Sequence, residues 1–251
     1  WFKSSYSGPR FVLNNQRFHQ EATTDHRMPL RYRGVIVDRP ISNYPNSGKY
    51  GAPLSGIYNG GVVTIPASII KLLVAFQADG SWNGNGITFG LSKTRKLDRL
   101  EEILSAASIP YSKVSRGIGI SARHQVCHLF RLLLGRSKTF GSWLLELSQE
   151  SLRTFIEELP HWDGYLENQE YFTTSKTNAQ WAQTVAHLCG KAANINVQDN
   201  SRTDALGNKL LYRVPIRSTV FPATSAIKKY FIDTIDEVVY CPTVPSGYFL
   251  C

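Results

Sequence analysis

The chain has little sulfur. Its four cysteines, Cys127, Cys189, Cys241 and Cys251, are scattered through 251 residues. None shows the C-x-x-C spacing of a structural zinc site. No disulfide framework is indicated, so a reducing compartment is the default. Long hydrophobic runs are also missing, since none reaches the roughly 18 residues of a membrane span. The first residues, WFKSSYSG, lack the pattern of a secretory signal. A cytoplasmic protein without a membrane partner is the expectation, and the missing initiator Met suggests a fragment or a processed product. Acid is in short supply too: 28 Lys and Arg face 19 Asp and Glu, a net charge of +9 with a pI near 9.4. That balance excludes an acidic solvating protein and points to a polyanion, nucleic acid before membrane. An apolar content of 42% with 19% charged residues excludes wholesale disorder.

The basic excess is uneven. Residues 81–136 hold nine Lys or Arg against three acids, whereas residues 137–199 hold four against eight. This charge step separates two stretches that read as one unit written twice. The first is IIKLLVAFQADGSWNGNGITFGLSK, Ile69 to Lys93; the second is FIEELPHWDGYLENQEYFTTSK, Phe155 to Lys176. Each turns on an Asp-Gly pair at the end of an apolar helix. Lys93 follows Asp79 by fourteen residues and Lys176 follows Asp163 by thirteen, each inside a Ser-Lys-Thr triplet. An internal repeat fixes architecture before any single residue does, and this one implies an acid and a lysine from each half.

Around the repeats, hydrophobic period sets the elements. Residues 1–62 read as strands and Gly/Pro-rich loops. Pro66 and Ser68 open a helix that Gly80 closes. GITFGLS reads as a strand. KLDRLEEILSAASI reads as an amphipathic helix with Leu97, Leu100, Ile103 and Leu104 on one face. SKVSRGIGISARH reads as a hairpin, and QVCHLFRLLLG and SWLLELS as helices. The second half repeats the order, with a helix from Ser148 to Trp162, strand EYFTTSK, helix AQWAQTVAHLCGKAA, and strands NINVQ and KLLYRVPIRSTV. The last residues return to strand composition.

A carboxylate at a helix C-terminus opposes the macrodipole by about 0.3–1 kcal/mol when exposed. One Asp-Gly is an ordinary capping turn. Two at matched places would bring like charges together if the helices pack about a pseudo-dyad, and one pKa would rise. A divalent cation relieves that conflict, and hard oxygen ligands suit Mg²⁺, with Mn²⁺ as substitute. Lys93 and Lys176 would stand at the edge of such a site, to stabilise phosphate charge or polarise water, or else as solvated strand-end lysines. Lys93, Arg95, Lys96 and Arg99 form either a basic wall or a solvent-facing helix start.

LLVAFQADG and its partner FIEELPHWDG resemble the paired motifs of LAGLIDADG homing endonucleases, over roughly residues 66–222. The resemblance implies an α+β fold, αββαββα repeated (about 66–136 and 148–222), whose two antiparallel sheets form a DNA-binding saddle. It also implies Mg²⁺-dependent cleavage of both strands at a long specific site on an intein-free allele, by a monomer. Asp79 and Asp163 occupy the metal-binding acid positions, and Lys93 and Lys176 the basic positions. Pro160 and Trp162 depart from the pattern of the first motif. Among basic residues, Lys93, Arg95, Arg116, Arg123, Arg213 and Arg217 are the candidates for DNA contact, because arginines on one strand face can pair with guanine.

The flanks carry a second resemblance, to phage-type inteins and their Hint splicing domain. ATTDHRM offers a Thr-x-x-His block with Thr23 and His26, and EVVYCPTVPSGYFL resembles a C-terminal strand block containing Cys241. The implied division is 1–62 and 225–251 as partial all-β Hint segments around an endonuclease at 63–224, in a bacterial or phage-infected cell. Without a nucleophile at Trp1 or a terminal His-Asn, the chain as written is expected not to splice. Two alternatives stay open: a catalytically inactive, maturase-like nucleic-acid-binding descendant, and a splicing module with a decayed nuclease.

Overall fold

A computed structural model describes residues 2–15, 18–114, 117–199, 210–218 and 220–241. Strands β1 (Phe2–Asn15), β2 (Phe18–Thr23), β3 (Arg27–Tyr32), β4 (Val35–Pro40) and β5 (Tyr50–Gly51) precede helix α1 (Ala67–Asp79). There follow β6 (Gly80–Asn83), β7 (Gly86–Phe89), α2 (Thr94–Ala106), β8 (Ser112–Val114), β9 (Gly117–Ile120) and α3 (Gln125–Leu134). The second half runs α4 (Gln149–Trp162), β10 (Gly164–Tyr165), β11 (Glu170–Thr173), α5 (Lys176–Leu188), β12 (Ala192–Ala193), β13 (Asn196–Asp199) and β14 (Leu210–Arg217). The described chain ends in β15 (Lys228–Cys241). The fold is mixed α/β, with antiparallel sheets and five α-helices among the described residues.

The chain divides into two units. One joins Trp1–Gly56, Gly190–Ala192 and Ser218–Cys251; the other joins Ile57–Cys189 and Ala193–Arg217. In the first, β15, β1 and β2 form one sheet and β4, β3 and β5 another. Chain segments more than 200 residues apart pair directly, as Phe11 faces Phe231 and Leu13 faces Lys229. Leu13, Met28, Leu30, Ile41, Tyr44, Ala52 and Ile227 make its core.

In the second unit each half supplies one antiparallel sheet. The first half orders its strands β6-β7-β9-β8, and the second orders β10-β11-β14, with β13 also bonded to β14. The long buried cluster runs through both halves, from Ile70 and Phe76 on α1 to Leu152, Phe155 and Leu159 on α4 and Val185 on α5. Local chemistry accounts for the helix starts: the Ser148 and Ser175 hydroxyls accept from the amides of Ser151 and Asn178, satisfying donors that a helix leaves open. One sequence expectation differs in type. SWLLELS forms a 3-10 turn, Ser142–Glu146, too short for a helix of its own.

Candidate active site at two helix ends

Asp79 is the last residue of α1 and Asp163 the C-cap of α4. Both helices end against strands that begin at once with glycine, and in both places the glycine is a matter of space. A Cβ on Gly80 would stand 2.7 Å from the Phe76 carbonyl oxygen, and one on Gly164 would stand 2.2 Å from the Glu170 carbonyl oxygen and 2.5 Å from the Pro160 Cα. Gly80 has φ −83° and ψ 161°, extended backbone that any residue adopts. Close approach, not a left-handed backbone, is therefore the reason for glycine at this stop.

The two carboxylates meet at one ammonium. Lys96 Nζ lies 2.5 Å from Asp79 Oδ2 and 3.7 Å from Asp163 Oδ1. Lys96 is itself buried, at 8% exposure. A second lysine closes the same end of α1: Lys138 Nζ donates to the carbonyl of Gly80 at 2.6 Å and lies 3.5 Å from that of Phe76. The end of α4 is treated likewise, because Arg95 donates to the His161 carbonyl at 2.8 Å. Three cations thus offset two negative helix ends that each also carry an acid.

The electrostatics are those of a strained pair. The Asp163 side chain is 39% exposed, yet burial by the surrounding protein, and then the charge of Asp79, push its carboxyl above the usual range; Lys96 and Lys138 pull the other way. Burial lowers Lys138 from the ordinary lysine value, opposed by Asp163 and Asp79. His161 is lowered by burial and then by Arg99. Behind the acids, Arg99 holds Glu158 through two bonds of 2.7 and 2.5 Å, and Glu158 also accepts from the Trp162 indole at 2.7 Å. This clamp ties α2 to the turn of α4 that carries Asp163, and it gives Trp162 a packing role. Tyr171 of β11 donates to Gln77 of α1 at 3.3 Å across the two halves. Pro160 lies inside α4 without ending it.

The structure therefore brings together Asp79 and Asp163, but not with the lysines expected. Lys93 is the N-cap of α2 and Lys176 the first residue of α5. Both are exposed, and among the described residues neither bonds to the acids. Their place is taken by Lys96, one turn further along α2. A signal for it existed: Lys96, Leu100, Ile103 and Leu104 share the buried stripe of α2, so a lysine stands where the helical period calls for an apolar residue. Lys138 sits in a loop and carried no such signal. Within the basic run Arg95, Lys96 and Arg99 each hold a defined partner, while Lys93 is exposed.

The residues expected to contact DNA lie on several elements. Arg213 is paired with Glu170, its Nε donating at 3.0 Å and its Nη2 closing the fork. Arg217 is half-buried at the end of β14, and Arg123 is exposed in the turn before α3. Arg116 lies outside the described residues. In the other unit, Thr23 donates to Asp25 at 2.9 Å and its carbonyl accepts from the His26 amide. Thr23 stands at the Arg10/Ile232 rung and Cys241 at the Phe2 rung, eight residues along β1. At ~3.3 Å per residue the separation is about 26 Å. Thr23 and the turn to His26 are thus not gathered with Cys241 at one place.

Two convergent carboxylates are a hard-oxygen donor set that fits Mg²⁺, which keeps several waters and takes phosphate oxygens as further ligands. Lys96 shows that the pair accepts a cation. Among the described residues no three His, Cys, Asp or Glu side chains converge, so water and phosphate would supply the rest of the shell.

No protein-family model matches the chain. Over 284 aligned residues, 98% of the chain, it is 29% identical to the ribonucleoside-diphosphate reductase subunit beta of Aquifex aeolicus, and it spans 39% of that protein's length. Among solved structures it is similar to the homing endonuclease I-DmoI. A variant in complex with its target DNA in the presence of Mg is 14% identical with a TM-score of 0.38, covering 60% of this chain and 88% of that one. I-DmoI in complex with DNA and Mn is 13% identical with a TM-score of 0.39, covering 60% and 89%. No helix among the described residues is long and apolar enough to cross a membrane.

Proposed function

We propose that the chain is a metal-dependent, site-specific DNA endonuclease that hydrolyses phosphodiester bonds in both strands. The observation that carries this reading is the single ammonium shared by two helix-end acids, Lys96 Nζ at 2.5 Å from Asp79 and 3.7 Å from Asp163. For stability alone an apolar contact often serves as well as an ion pair. Such a pair is at home where the charge of a cation and a phosphate must be balanced. Bound Mg²⁺ or Mn²⁺ would supply Lewis-acid stabilisation of the phosphate and an activated water. Asp79 and Asp163 would hold it, and Lys96 and Lys138 would counter the negative charge that develops on the phosphate. The net charge of +9 supports a duplex DNA partner.

Intein origin is the second part of the proposal. It is supported by the pairing of β1 with β15, which joins the segments on either side of the nuclease. The likeness to part of a reductase subunit fits the same origin, because an intein is carried inside the reading frame of an unrelated host protein. The alternative that the chain shares the activity of that subunit rests on the 29% identity alone. Plasmid carrying an uninterrupted subunit gene, incubated with the chain and Mg²⁺, tests both. Linear product that is lost in EDTA supports the nuclease. Intact plasmid under all metals tried, at saturating protein, refutes it.

A further inference from the structure

The first unit holds a cationic recess that the nuclease chemistry does not use. It has a volume of about 250 Å³ and is lined by Arg31, Arg33, Lys49, Tyr50, Gly51 and Phe221 among others, with no acid in the lining. Its floor depends on Gly51, where a Cβ would stand 2.9 Å from that of Phe221. Arg31 lies over the Phe221 ring at 4.2 Å, and Tyr32 stacks on Tyr50 at 4.6 Å. Arg33 sits at the tip of the β3–β4 hairpin with φ 49°, followed by Gly34 with φ 86°. Two consecutive positive φ values define the hairpin turn in which Asn or Gly is normal at the first place. An arginine there adopts a backbone region uncommon for non-glycine residues, and its guanidinium stands 5.3 Å from the Tyr32 ring.

None of Arg31, Arg33 and Lys49 forms an ion pair among the described residues. The nearby acid Asp38 is taken by Arg27. Other arginines of both units do spend donors within the protein, Arg10, Arg27 and Arg39 in the first and Arg95, Arg99, Arg131 and Arg213 in the second. Residues 1–56 carry eight Lys or Arg against three acids. The recess is too small and open for a whole cofactor, but three cations around it without an ion-pair partner among the described residues, two of them resting against rings, match the oxygens of a backbone phosphate.

We propose that this recess is a second DNA-contacting site, which grips the phosphate backbone of the duplex and supplies affinity without sequence preference. The inference rests on the endonuclease reading of the acid pair, and adds to it that the first unit is part of the DNA-binding surface. Phosphate contacts release counterions, so each one lost lowers the salt slope of binding by about 0.9, equivalent to roughly 8-fold in affinity at 0.1 M salt.

The test is the full chain carrying Arg33→Gly and Lys49→Ala, measured by anisotropy on labelled duplexes in Ca²⁺ over a salt series. Arg33→Gly relieves the positive φ, so the hairpin keeps its fold, and a melt confirms this. The expected result is a slope lower by about 1.8 and a loss of roughly 60-fold at 0.1 M salt, equal on target and random duplexes. An unchanged slope overturns the proposal, as does a loss confined to single-stranded RNA or to inorganic phosphate used as competitor. If wild-type protein binds no duplex at all, the endonuclease reading fails as well. If it cuts DNA and the double variant binds normally, only this inference fails.

Discussion

Arg99→Met should be among the most damaging single changes in the second unit. Glu158 is 1% exposed and relies on two bonds from Arg99 and one from the Trp162 indole. Methionine keeps the aliphatic stem and removes both charged donors, leaving a buried carboxylate with one neutral partner. Breaking such a pair from one side costs about 3–5 kcal/mol. The Arg99 side chain is 24% exposed, so solvent shields part of the loss, and ~2–3 kcal/mol is the working figure. For a unit of this size that is a fall of roughly 5–10 °C in Tm. Differential scanning calorimetry reads it, with the unit's own transition followed separately because two units need not melt together. Adding Glu158→Gln should recover more than half of the loss, since the amide oxygen still accepts from Trp162 and no buried charge remains. A single variant within about 1 kcal/mol of wild type, or a double variant as unstable as the sum of its parts, would refute the clamp.

Asp79→Asn and Asp163→Asn should each abolish double-strand cleavage while duplex binding in Ca²⁺ stays within a few-fold; near-normal cleavage by either would remove the acid pair from the reaction. Lys96→Met leaves the like charges of Asp79 and Asp163 unscreened, so it should raise the affinity for Ca²⁺ in calorimetric titration while lowering cleavage; weaker metal binding would contradict the competition between ammonium and metal. Gly164→Ala drives a Cβ into the Glu170 carbonyl and Pro160 and should cost about 1–3 kcal/mol, read from a urea melt; a neutral result would mean that the strand shifts freely. His187 lies 3.0 Å from the Ala193 carbonyl, and burial lowers its pKa from 6.5. Its folded value is thus below its unfolded one: the unfolded chain takes the proton first, and stability falls as pH drops below about 6.5. His187→Gln should flatten that part of the pH profile, and an unaltered slope would place the effect elsewhere.

Several elements were legible because their cause is local. The helix expected from Ser148 to Trp162 is α4, with Ser148 as its cap. The helix in KLDRLEEILSAASI is α2, and SKVSRGIGISARH contains the β8–β9 strands. In each case cap chemistry and hydrophobic period act within one turn or one hairpin, so neighbouring residues carry the whole signal. SWLLELS departs from its expectation because seven residues, five of which form the 3-10 turn, are too few for the period to separate an α-helix from it.

The site divides along the same line. The repeat alone placed two acids at equivalent helix ends, because a duplicated helix-turn-strand unit repeats its own termini. The choice of lysine was tertiary. Lys93 stands at matched spacing but is exposed, whereas Lys96 reaches both acids from one turn further along α2, and its counterpart by that spacing in α5 is the buried Ala179. Lys138 approaches from a loop 58 residues beyond Gly80. Which cation settles at a negative helix end depends on which elements pack there, and linear spacing does not record that packing. The commitment of Arg213 to Glu170 is of the same kind: alternation along β14 assigns the arginine to a face, and only the neighbouring strand β11 brings the carboxylate that occupies it. The sequence by itself determined the repeated elements and the acids at their ends; the tertiary structure decided which charges meet, because contact between distant charges is set by packing across the unit.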